Sequence, residues 1–431
     1  MPRFRYVIFG LLVAVALVNY IDRGAISYAA GPVIAEFGFG KADWGGVLGF
    51  FGYGYMFGAL LGGWLADRLG PRRVWLWAGA AWSILEIASA FAGELGLFLG
   101  SALAGFAVVR ILFGFSEGPA YSTINRTMAD WAAPRERGFA VSLGLLSTPL
   151  GALLTAPVSV GLLQLTGSWR TTFIVLGVAG LVLLAAFYRL FRDKPEEHPQ
   201  VTAEELAHIR AETGPEATVE RVPVRAFFTS RTLLLNSVGY FAFMFVNFTI
   251  LTWVPKYLQD QFGFSLGSLW YLGMIPWIGA CVTILLGGRI SDHLRRRTGN
   301  LRIARNLLAV VSMAATAACF LLIPAMTTPA AVLTLMAVGN ALNSLPNAVF
   351  WAVIIDTAPS RAGTFGGFTH FIANIAAVAA PTLAGSLAAA YGYDSIFVAA
   401  AGATLIGMCA MAFLRPGELK TLNAKPVPQS V

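Results

Sequence analysis

The sequence GWLADRLGPRR occupies residues 63–73, and a related sequence, GRISDHLRRR, occupies residues 288–297. Each follows a long apolar run, and the paired residues, Gly63 with Gly288 and Asp67 with Asp292, are 225 positions apart. PRERG at residues 134–138 and PSRAG at residues 359–363 repeat at the same distance. These matches predict that the chain is a parallel duplication, with its functional site between the two halves.

The apolar runs around these motifs are long enough to cross a membrane. Of the 431 residues, 57% are hydrophobic and 12% are charged. A membrane-spanning helix needs about 20 apolar residues, and the runs are too long and too uniform for β-barrel strands. We predict an all-α membrane protein with twelve transmembrane helices in two pseudo-symmetric six-helix bundles. The predicted spans are 6–28, 44–66, 73–92, 98–121, 138–163, 170–190, 232–258, 268–290, 304–323, 330–355, 363–388 and 394–414.

The polar stretch 192–231 is predicted to be a cytoplasmic linker between an N-terminal bundle (1–191) and a C-terminal bundle with its tail (232–431). Within it, Thr202 and Glu205 have the spacing of a capping box at the start of a short helix. The net charge of +8 comes mostly from Lys and Arg in the termini and in alternate loops. By the positive-inside rule, both termini are cytoplasmic, in a bacterial inner membrane, and nucleic acid is not needed to explain the charge.

Charged residues interrupt two predicted spans: Asp22 and Arg23 in the first, and Arg110 and Glu117 in the fourth. A charge there is costly unless it is paired or hydrated, so such residues are candidates for function. Arg110 and Glu117 lie about 10 Å apart along one helix face, and adjacent residues diverge by about 100°, so the natural partners lie across the two helices. An Arg can hold a substrate carboxylate, and a desolvated carboxyl can bind and release protons.

Our hypothesis is that Asp22 and Glu117 are proton sites and that Arg23 and Arg110 bind an organic anion. A permanent charge network that only orients the helices is the alternative. Proton coupling is reasonable because a negative-inside membrane potential opposes anion entry by about 2.3 kcal/mol per charge per 100 mV. Glu86 is a further acid, in the third span, and we expect it to reach water at the outward interface.

The C-terminal half offers neutral polar groups in its predicted spans. Asn340, Asn343 and Asn347 share one stripe of the tenth span, and His370 and Asn374 are four residues apart in the eleventh. These side chains either line a cavity or hold helices together. Weaker candidates for the cavity are Tyr20, Tyr55, Tyr240, Asn247 and Trp253.

No enzyme chemistry is expected from the sequence. The three cysteines, Cys281, Cys319 and Cys409, lie in different predicted spans without metal or redox spacing. A nucleophile motif, a His-rich metal cluster and a sizeable soluble domain are absent from the sequence. We therefore predict no metal and no cofactor, with a small organic anion, protons and lipid as the partners and a monomer as the functional unit.

Residues 63–73 resemble the loop signature of the major facilitator superfamily, with Pro71 in place of a usual basic residue. The resemblance implies a cytoplasmic gate, acting either as a charge latch between the halves or as a fixed loop staple. Its residues are Gly63, Asp67, Arg68, Gly70, Arg72 and Asp292.

Further blocks are similar to the anion:cation symporter branch of that family, which includes bacterial sugar-acid carriers and the animal sialin and vesicular glutamate carriers. They are NYIDR (19–23), RILFGFSEGP (110–119), SWR (168–170) and DKPEEHP (193–199). This resemblance implies a proton-coupled symporter that imports a sugar acid such as an aldonate, hexuronate or aldarate. It also implies the roles given above to Asp22, Arg23, Arg110 and Glu117.

Three departures leave the substrate open. The seventh span has no charge between Arg231 and Lys256, His370 stands where an Asn is typical, and Ala59 stands where a Gln is common. Alternatives are a symporter of aromatic or dicarboxylic acids, an exporter or antiporter, and, from another class, an intramembrane enzyme or sensor. The last of these has no support in the sequence.

Overall fold

The computed structural model describes residues 4–133, 136–210 and 222–417, and almost all of them are helical, with no strand among them. The helices of the first half are α1 (Phe4–Tyr28), α2 (Ala30–Phe37), α3 (Lys41–Leu69), α4 (Pro71–Ser89), α5 (Ala92–Leu97), α6 (Ala102–Glu117), α7 (Ala120–Trp131), α8 (Arg137–Thr166), α9 (Trp169–Leu190) and α10 (Ala203–Arg210). Those of the second half are α11 (Ala226–Thr229), α12 (Arg231–Phe262), α13 (Leu269–Leu272), α14 (Ile275–Thr298), α15 (Leu308–Leu322), α16 (Pro329–Ser344), α17 (Asn347–Thr357), α18 (Ala362–Ala373), α19 (Ala376–Tyr391) and α20 (Asp394–Phe413).

Several helix boundaries follow from local sequence. Ser101, Ser168, Ser230 and Thr328 precede α6, α9, α12 and α16, and each side-chain oxygen accepts a hydrogen bond from the third backbone N–H that follows it. This is N-capping, which satisfies a donor that the helix itself leaves free. The spans that contain α6, α16 and α18 are each broken by two residues before α7, α17 and α19 continue.

Eleven helical segments in the described part of the chain are long and apolar enough to cross a membrane. The predicted third span corresponds to α4, which carries Arg72, Arg73 and Glu86 within 19 residues and is not among those eleven. The all-α prediction is confirmed, whereas the count of twelve spans and the cytoplasmic position of the termini stay predictions.

The helix packing repeats in the two halves. In the N-terminal half α1 packs against α8, α3 against α6 and α4 against α9, and in the C-terminal half α12 packs against α19, α14 against α16 and α15 against α20. Gly62 and Gly287, which are 225 positions apart, permit two of these contacts. A Cβ atom would lie 2.5 Å from Pro119 Cα at the first and 1.8 Å from Leu345 O at the second. The duplication seen in the sequence is therefore also present in the packing.

The two halves meet through α3 with α18 and α19, α8 with α14, and α1 with α12. At the end of the bundle where α3 begins, called here the Lys41 end, a Cβ atom on Gly45 would lie 2.7 Å from Pro381 O and 2.9 Å from Gly385 Cα. Lys41 Nζ also lies 4.3 Å from the centre of the Tyr393 ring. The halves are in close contact at this end. At the other end, where α3 finishes and which is called the Asp67 end, a cavity separates the two halves and opens to solvent.

The predicted linker helix exists as α10, and Thr202 Oγ1 accepts a hydrogen bond of 3.2 Å from the backbone N–H of Glu205. The Glu205 carboxylate does not complete a capping box with Thr202. It accepts hydrogen bonds from the backbone N–H groups of Phe4 and Arg5 and from Arg5 Nη1, at 3.0–3.1 Å. The first part of the linker is thus attached to α1. The part of the linker between residues 211 and 221 lies outside the described residues, and the domain boundaries stay predictions.

Candidate functional site: a cavity between the two halves

A cavity of about 1090 Å³ lies between the halves. Side chains from α1, α3, α7 and α8 line one wall, and side chains from α12, α17 and α18 line the other. Asp67 and Arg126 lie at its mouth, where 67% and 49% of their side-chain surfaces are exposed. The volume lies just above the range of about 300–1,000 Å³ that is usual for small-molecule sites.

Arg23 is the charged residue of α1 on the cavity wall, and it is held from behind by α6. Its Nη2 and Nε atoms donate to Glu117 Oε2 over 3.0 and 3.1 Å, and Glu117 is fully buried. The guanidinium carbon lies 4.6, 4.8 and 4.3 Å from the ring centres of Tyr20, Phe51 and Tyr55. Aromatic faces attract a cation, so these rings fix the guanidinium group at the cavity surface.

The other predicted charges of these two helices are buried behind Arg23. Asp22 is fully buried, and neither of its carboxylate oxygens has a hydrogen-bond partner. Arg110 is 2% exposed, its Nε and Nη1 atoms lack hydrogen-bond partners, and its guanidinium carbon lies 5.1 Å from the centre of the Phe113 ring. Of the two arginines predicted to bind the anion, Arg23 lines the cavity and Arg110 does not in this conformation.

The position of Glu86 differs from the one expected from the sequence. It was expected to reach interfacial water, but it is fully buried and neither carboxylate oxygen has a hydrogen-bond partner. Its electrostatic interactions are with Asp22, Arg110 and Glu117. The expectation was wrong because nearness to a helix end does not determine which face of the helix a residue occupies. Here α4 turns Glu86 towards the interior of the N-terminal half.

The C-terminal wall of the cavity combines apolar and aromatic residues with neutral polar side chains, and its charged residue is Arg361. Most of its predicted residues line the cavity, and they are Tyr240, Asn247, Asn347, His370 and Asn374. The His370 ring is 6.1–6.4 Å, centre to centre, from the rings of Tyr55, Tyr240 and Trp351. Because Tyr55 belongs to the opposite half, His370 lies where the two walls approach each other.

Three predicted residues of this wall lie outside the cavity. Trp253 Nε1 donates to Pro381 O over 3.0 Å, Asn340 Nδ2 to Pro276 O over 3.0 Å, and Asn343 Nδ2 to Phe243 O over 3.2 Å. Their bonds join neighbouring helices, as the packing alternative described. Asn340 and Asn343 do not reach the cavity with Asn347, because α16 ends at Ser344 and Asn347 begins a separate helix.

The signature loop is fixed within the N-terminal half. Gly70 has a φ of +81°, and a Cβ atom there would lie 2.7 Å from Asp193 Oδ2. Asp193 Oδ1 accepts a hydrogen bond of 2.7 Å from the backbone N–H of Arg72, whose guanidinium lies 4.0 Å from the Tyr188 ring centre. A side chain at position 70 would therefore be strained and would displace the carboxylate. Gly63, also predicted for the gate, lines the cavity.

The charged gate residues also pair inside their own halves. Asp67 Oδ1 is 3.6 Å from Arg126 Nη1, and the Arg68 guanidinium lies over the Trp64 ring at 4.5 Å. In the C-terminal half, Asp292 is 3.3 Å from Arg305, a residue that also contacts Asp356 at 2.9 Å. This geometry is that of a loop staple in each half. A latch between the halves stays a prediction for the conformation in which the Asp67 end is closed.

Sequence reasoning missed several residues of the cavity wall, among them Tyr121, Thr148, Trp351 and Arg361. Tyr121 forms a hydrogen bond with Thr148. Because Tyr121 follows Glu117 by four residues, helical spacing could have identified it. Trp351 had no such signal. The described residues contain no group of His, Cys, Asp and Glu that could hold a metal ion.

Comparisons with known proteins identify the family of the chain. A family model described as the Major Facilitator Superfamily matches residues 12–381. The hexuronate transporter of Bacillus subtilis is 30% identical, with 93% of this chain and 92% of that protein covered. The probable sulfoacetate transporter SauU of Cupriavidus necator is 33% identical, with 96% and 94% covered. The probable galactarate/D-glucarate transporter GudP of Escherichia coli is 28% identical, with 98% and 96% covered.

A solved structure supports the fold. It is a bacterial homolog to the human lysosomal transporter Spinster, in an inward-facing and occupied conformation. The TM-score is 0.74, and 95% of this chain and 96% of that chain are covered. At 15% sequence identity, this similarity concerns the fold alone.

Proposed function

The chain belongs to the major facilitator superfamily, and from that premise we propose that it imports a sugar acid together with protons across the inner membrane of a bacterium. Like the other members of its family and its relatives, it is a multi-pass membrane transporter and not an enzyme. The proposed substrate is an aldonate, hexuronate or aldarate, because relatives of the chain are named as hexuronate and galactarate/D-glucarate transporters. The proposed functional unit is a monomer, with protons as the coupling ion and no cofactor.

The ion pair between Arg23 and Glu117 is the observation that carries the proposal. Arg23 is on the cavity wall, and two of its donors are directed to one oxygen of Glu117. A guanidinium fork binds a carboxylate strongly, so a substrate carboxylate can replace that of Glu117. When Glu117 takes up a proton, its attraction for Arg23 falls and the fork becomes free for the substrate. The proton and the anion therefore favour each other's binding.

Asp22 and Arg110 have supporting roles in this proposal. Asp22 is a second proton site, because its carboxyl group is buried without a hydrogen-bond partner. Arg110 interacts electrostatically with Glu86, Glu117 and Arg23 and so influences when the carboxyl groups hold protons. Arg110 contacts the anion only if another conformation brings it to the cavity.

The opposite wall suits the hydroxyl groups of a sugar acid. The amides of Asn247, Asn347 and Asn374 can each donate and accept hydrogen bonds, and a neutral His370 ring can do the same. A second candidate substrate is a small anion with two acidic groups. It is favoured by the 33% identity to the probable sulfoacetate transporter and by His370, which can donate a hydrogen bond to a second acidic group.

The proposed import direction agrees with the predicted topology and with the membrane potential. The cavity opens at the Asp67 end, which the distribution of Lys and Arg predicts to be cytoplasmic. This is the conformation from which an imported substrate leaves. When one proton is transported for each negative charge of the substrate, no net charge moves and the membrane potential no longer opposes import. With one additional proton, the potential drives import.

Uptake into proteoliposomes tests the proposal, with glucuronate, galactonate and galactarate as substrates. We expect an inward proton gradient to drive accumulation by the native protein. Glu117→Gln should lose this accumulation but retain counterflow, because exchange of substrate needs no net proton movement. Glu204→Gln, a change at an exposed acid of α10, should behave as the native protein does.

Two results would contradict the proposal. Uptake by the native protein that ignores the proton gradient would exclude proton coupling. Thermal stabilisation of the purified protein by neutral or cationic compounds, and not by any of these acids, would exclude the anionic substrate.

A further inference from the structure

The buried charges in the interior of the N-terminal half do not balance once Arg5 is set aside, which is paired with Glu136 and Glu205 at the start of α1. Three carboxyl groups, on Asp22, Glu86 and Glu117, share this interior with two guanidinium groups, on Arg23 and Arg110, and none of the five residues is more than 4% exposed. If all were ionised, one negative charge would remain in excess. An unpaired buried charge is strongly unfavourable, so one of the carboxyl groups holds a proton in this conformation.

The contacts indicate where this proton lies. Glu117 takes two hydrogen bonds from Arg23, and these account for one carboxylate and one guanidinium group. Arg110 is then the one guanidinium group that remains for the charges of Asp22 and Glu86, and of these two it interacts electrostatically with Glu86. Neither carboxyl group has a hydrogen-bond partner on either oxygen, and a single guanidinium group can neutralise only one of them.

We propose that Glu86 is a further proton-binding residue of the transport cycle, which shares one proton with Asp22 opposite Arg110. The inference rests on the proposed proton-coupled function and adds to it a third carboxyl group, from α4. When two neighbouring carboxyl groups share a site, their titration belongs to the pair, so the proton is held jointly.

Among the residues that the structure describes, no other charged group near Glu86 could share the proton in place of Asp22. The helices packed against α4 are α3, α6, α7 and α9. The charged groups that interact with Glu86 are Arg110 and Glu117 from α6 and Asp22 from α1. The charged residues of α3 lie at its two ends, at Lys41, Asp43, Asp67 and Arg68. Those of α7 are Arg126, which is paired with Asp67, and Asp130 in the last turn.

The face of α9 against α4 is apolar and close. A Cβ atom on Gly177 would lie 2.5 Å from Ser83 O, one helical turn before Glu86. The basic residues of α9 are at its two ends, with Arg170 bound to Glu36 and Glu94, and Arg189 in the last turn. Glu86 therefore depends on the α1 and α6 groups for compensation of its charge.

Glu86 lies on the side of the substrate site that faces the closed end of the bundle. It lies three residues before the end of α4, towards the Lys41 end, where the halves are in close contact. Electrostatic interactions connect Glu86 with Asp22, and Asp22 with Glu117. Glu117 in turn holds Arg23 at the cavity. The three carboxyl groups thus form a series from the closed end of the bundle to the substrate site.

Counting the protons moved for each substrate molecule tests the proposal. In Glu86→Gln the cluster has two carboxyl and two guanidinium groups, so it no longer requires a bound proton. We expect its proton-to-substrate ratio, measured from reversal potentials in proteoliposomes, to fall by one, while counterflow remains. Glu94→Gln is the matched control, because Glu94 is an acid at the same end of the half that is partly exposed and bound to Arg170.

Infrared absorption gives a second readout that needs no substrate. The native protein should show the band of a protonated carboxyl group at neutral pH, and Glu86→Gln should lose it. If Glu86→Gln does not fold, Glu86→Asp replaces it, and the pH dependence of uptake should shift because the shorter side chain changes the distance to Arg110.

The outcomes separate the two proposals. A Glu86→Gln protein with the native ratio and pH profile would overturn the role of Glu86, and so would an unchanged pH profile in Glu86→Asp if that variant has to be used. Native uptake that is indifferent to protons would instead overturn the proposed function, and the infrared band would still decide whether Glu86 shares the buried proton.

Discussion

The N-terminal half places the Arg23 guanidinium group on the cavity wall, held by a buried carboxylate, whereas the C-terminal half faces it with amides, aromatic rings and an imidazole. The arginine of the C-terminal wall, Arg361, lies in the turn after α17, where its Nε donates to Val222 O. Arg23 is backed by Glu117, and further charges lie behind them, on Asp22 and Arg110. The C-terminal half has a comparable buried arginine in Arg305, but its partners, Asp292 and Asp356, lie at the Asp67 end, away from the middle of the bundle. In the middle of the bundle, the duplicated fold thus places charged groups in one half and neutral polar groups in the other.

This difference assigns separate tasks to the two walls. A charge buried in the middle of the bundle can change its protonation when the cavity changes access, so the N-terminal wall suits coupling and anion binding. Neutral donors and acceptors discriminate between substrates through hydrogen bonds that are made or left unmade. We therefore expect N-terminal substitutions to affect binding and coupling and C-terminal ones to affect selectivity.

The largest effect is expected from Arg23→Gln. The variant keeps a donor but loses the positive charge and the fork, and hydrogen bonds to charged groups contribute about 1.5–3 kcal/mol each. Two such bonds correspond to a weakening of sugar-acid binding by about 100-fold or more. Calorimetry on the purified protein measures this change. Affinity within about 3-fold of the native value would show that the anion is held elsewhere. It would contradict the assignment of anion binding to the N-terminal wall.

A smaller effect is expected from Asn347→Ala in the C-terminal wall. Loss of one neutral hydrogen bond costs about 1 kcal/mol, which weakens binding about 5-fold without changing the proton-to-substrate ratio. A substrate analogue that lacks the hydroxyl group bonded to Asn347 should bind the native protein more weakly than the full substrate does. In this variant the two compounds should bind equally well. Asn340→Ala is the matched control, because Asn340 bonds to Pro276 O outside the cavity and should lower thermal stability but not affinity. A changed proton ratio in Asn347→Ala would contradict the division of tasks.

His370→Asn tests whether the C-terminal wall also contacts a second acidic group of the substrate. We expect affinity for a sugar diacid to fall about 3-fold relative to that for a monoacid, since the donor to the second carboxylate is changed but an amide donor remains. Competition binding with the two substrates measures the ratio. An equal change for both would show that His370 contacts a group common to the two acids.

The sequence predicted the fold and the charged residues because both leave strong signals. Long apolar runs, repeated motifs and charges inside spans are visible without coordinates, and the expected partnership across the first and fourth spans is seen between Arg23 and Glu117. Helix lengths and repeats say less about rotation about the helix axis. For that reason Glu86 was expected at the interface, although it is buried.

Neutral polar residues were the least predictable part of the site. An Asn in a span needs a partner in any environment, and the sequence cannot tell a backbone carbonyl from a substrate. Asn343 bonds to Phe243 O, whereas Asn347, four residues later, reaches the cavity. The break between α16 and α17 separates them, and Pro346 alone did not indicate how the two helices turn.

The smallest effect concerns a charge of the N-terminal half outside the membrane-spanning segments. Glu136 accepts hydrogen bonds from Arg5 Nε and Nη2, at 2.7 and 2.8 Å, and from Tyr6 Oη. These bonds, the Arg5 bond foremost, lower the pKa of Glu136 from 4.5 to about 2. Because the pKa is lower in the folded state, the ionised carboxylate stabilises the fold above about pH 4.5, and this contribution is lost as the pH falls towards 2.

We expect Glu136→Gln to reduce the free energy of unfolding at pH 7 by about 1 kcal/mol, since the group is partly exposed and screened by solvent. The corresponding fall in melting temperature is about 2 °C. Melting curves of the variant and the native protein should converge as the pH falls from 4.5 to 2, whereas transport at pH 7 should be unchanged. A difference that persists at the lowest pH would mean that Glu136 acts through packing. A loss of transport would instead place the Arg5 contacts in the coupling machinery, and the contrast between the halves would then extend beyond the cavity walls.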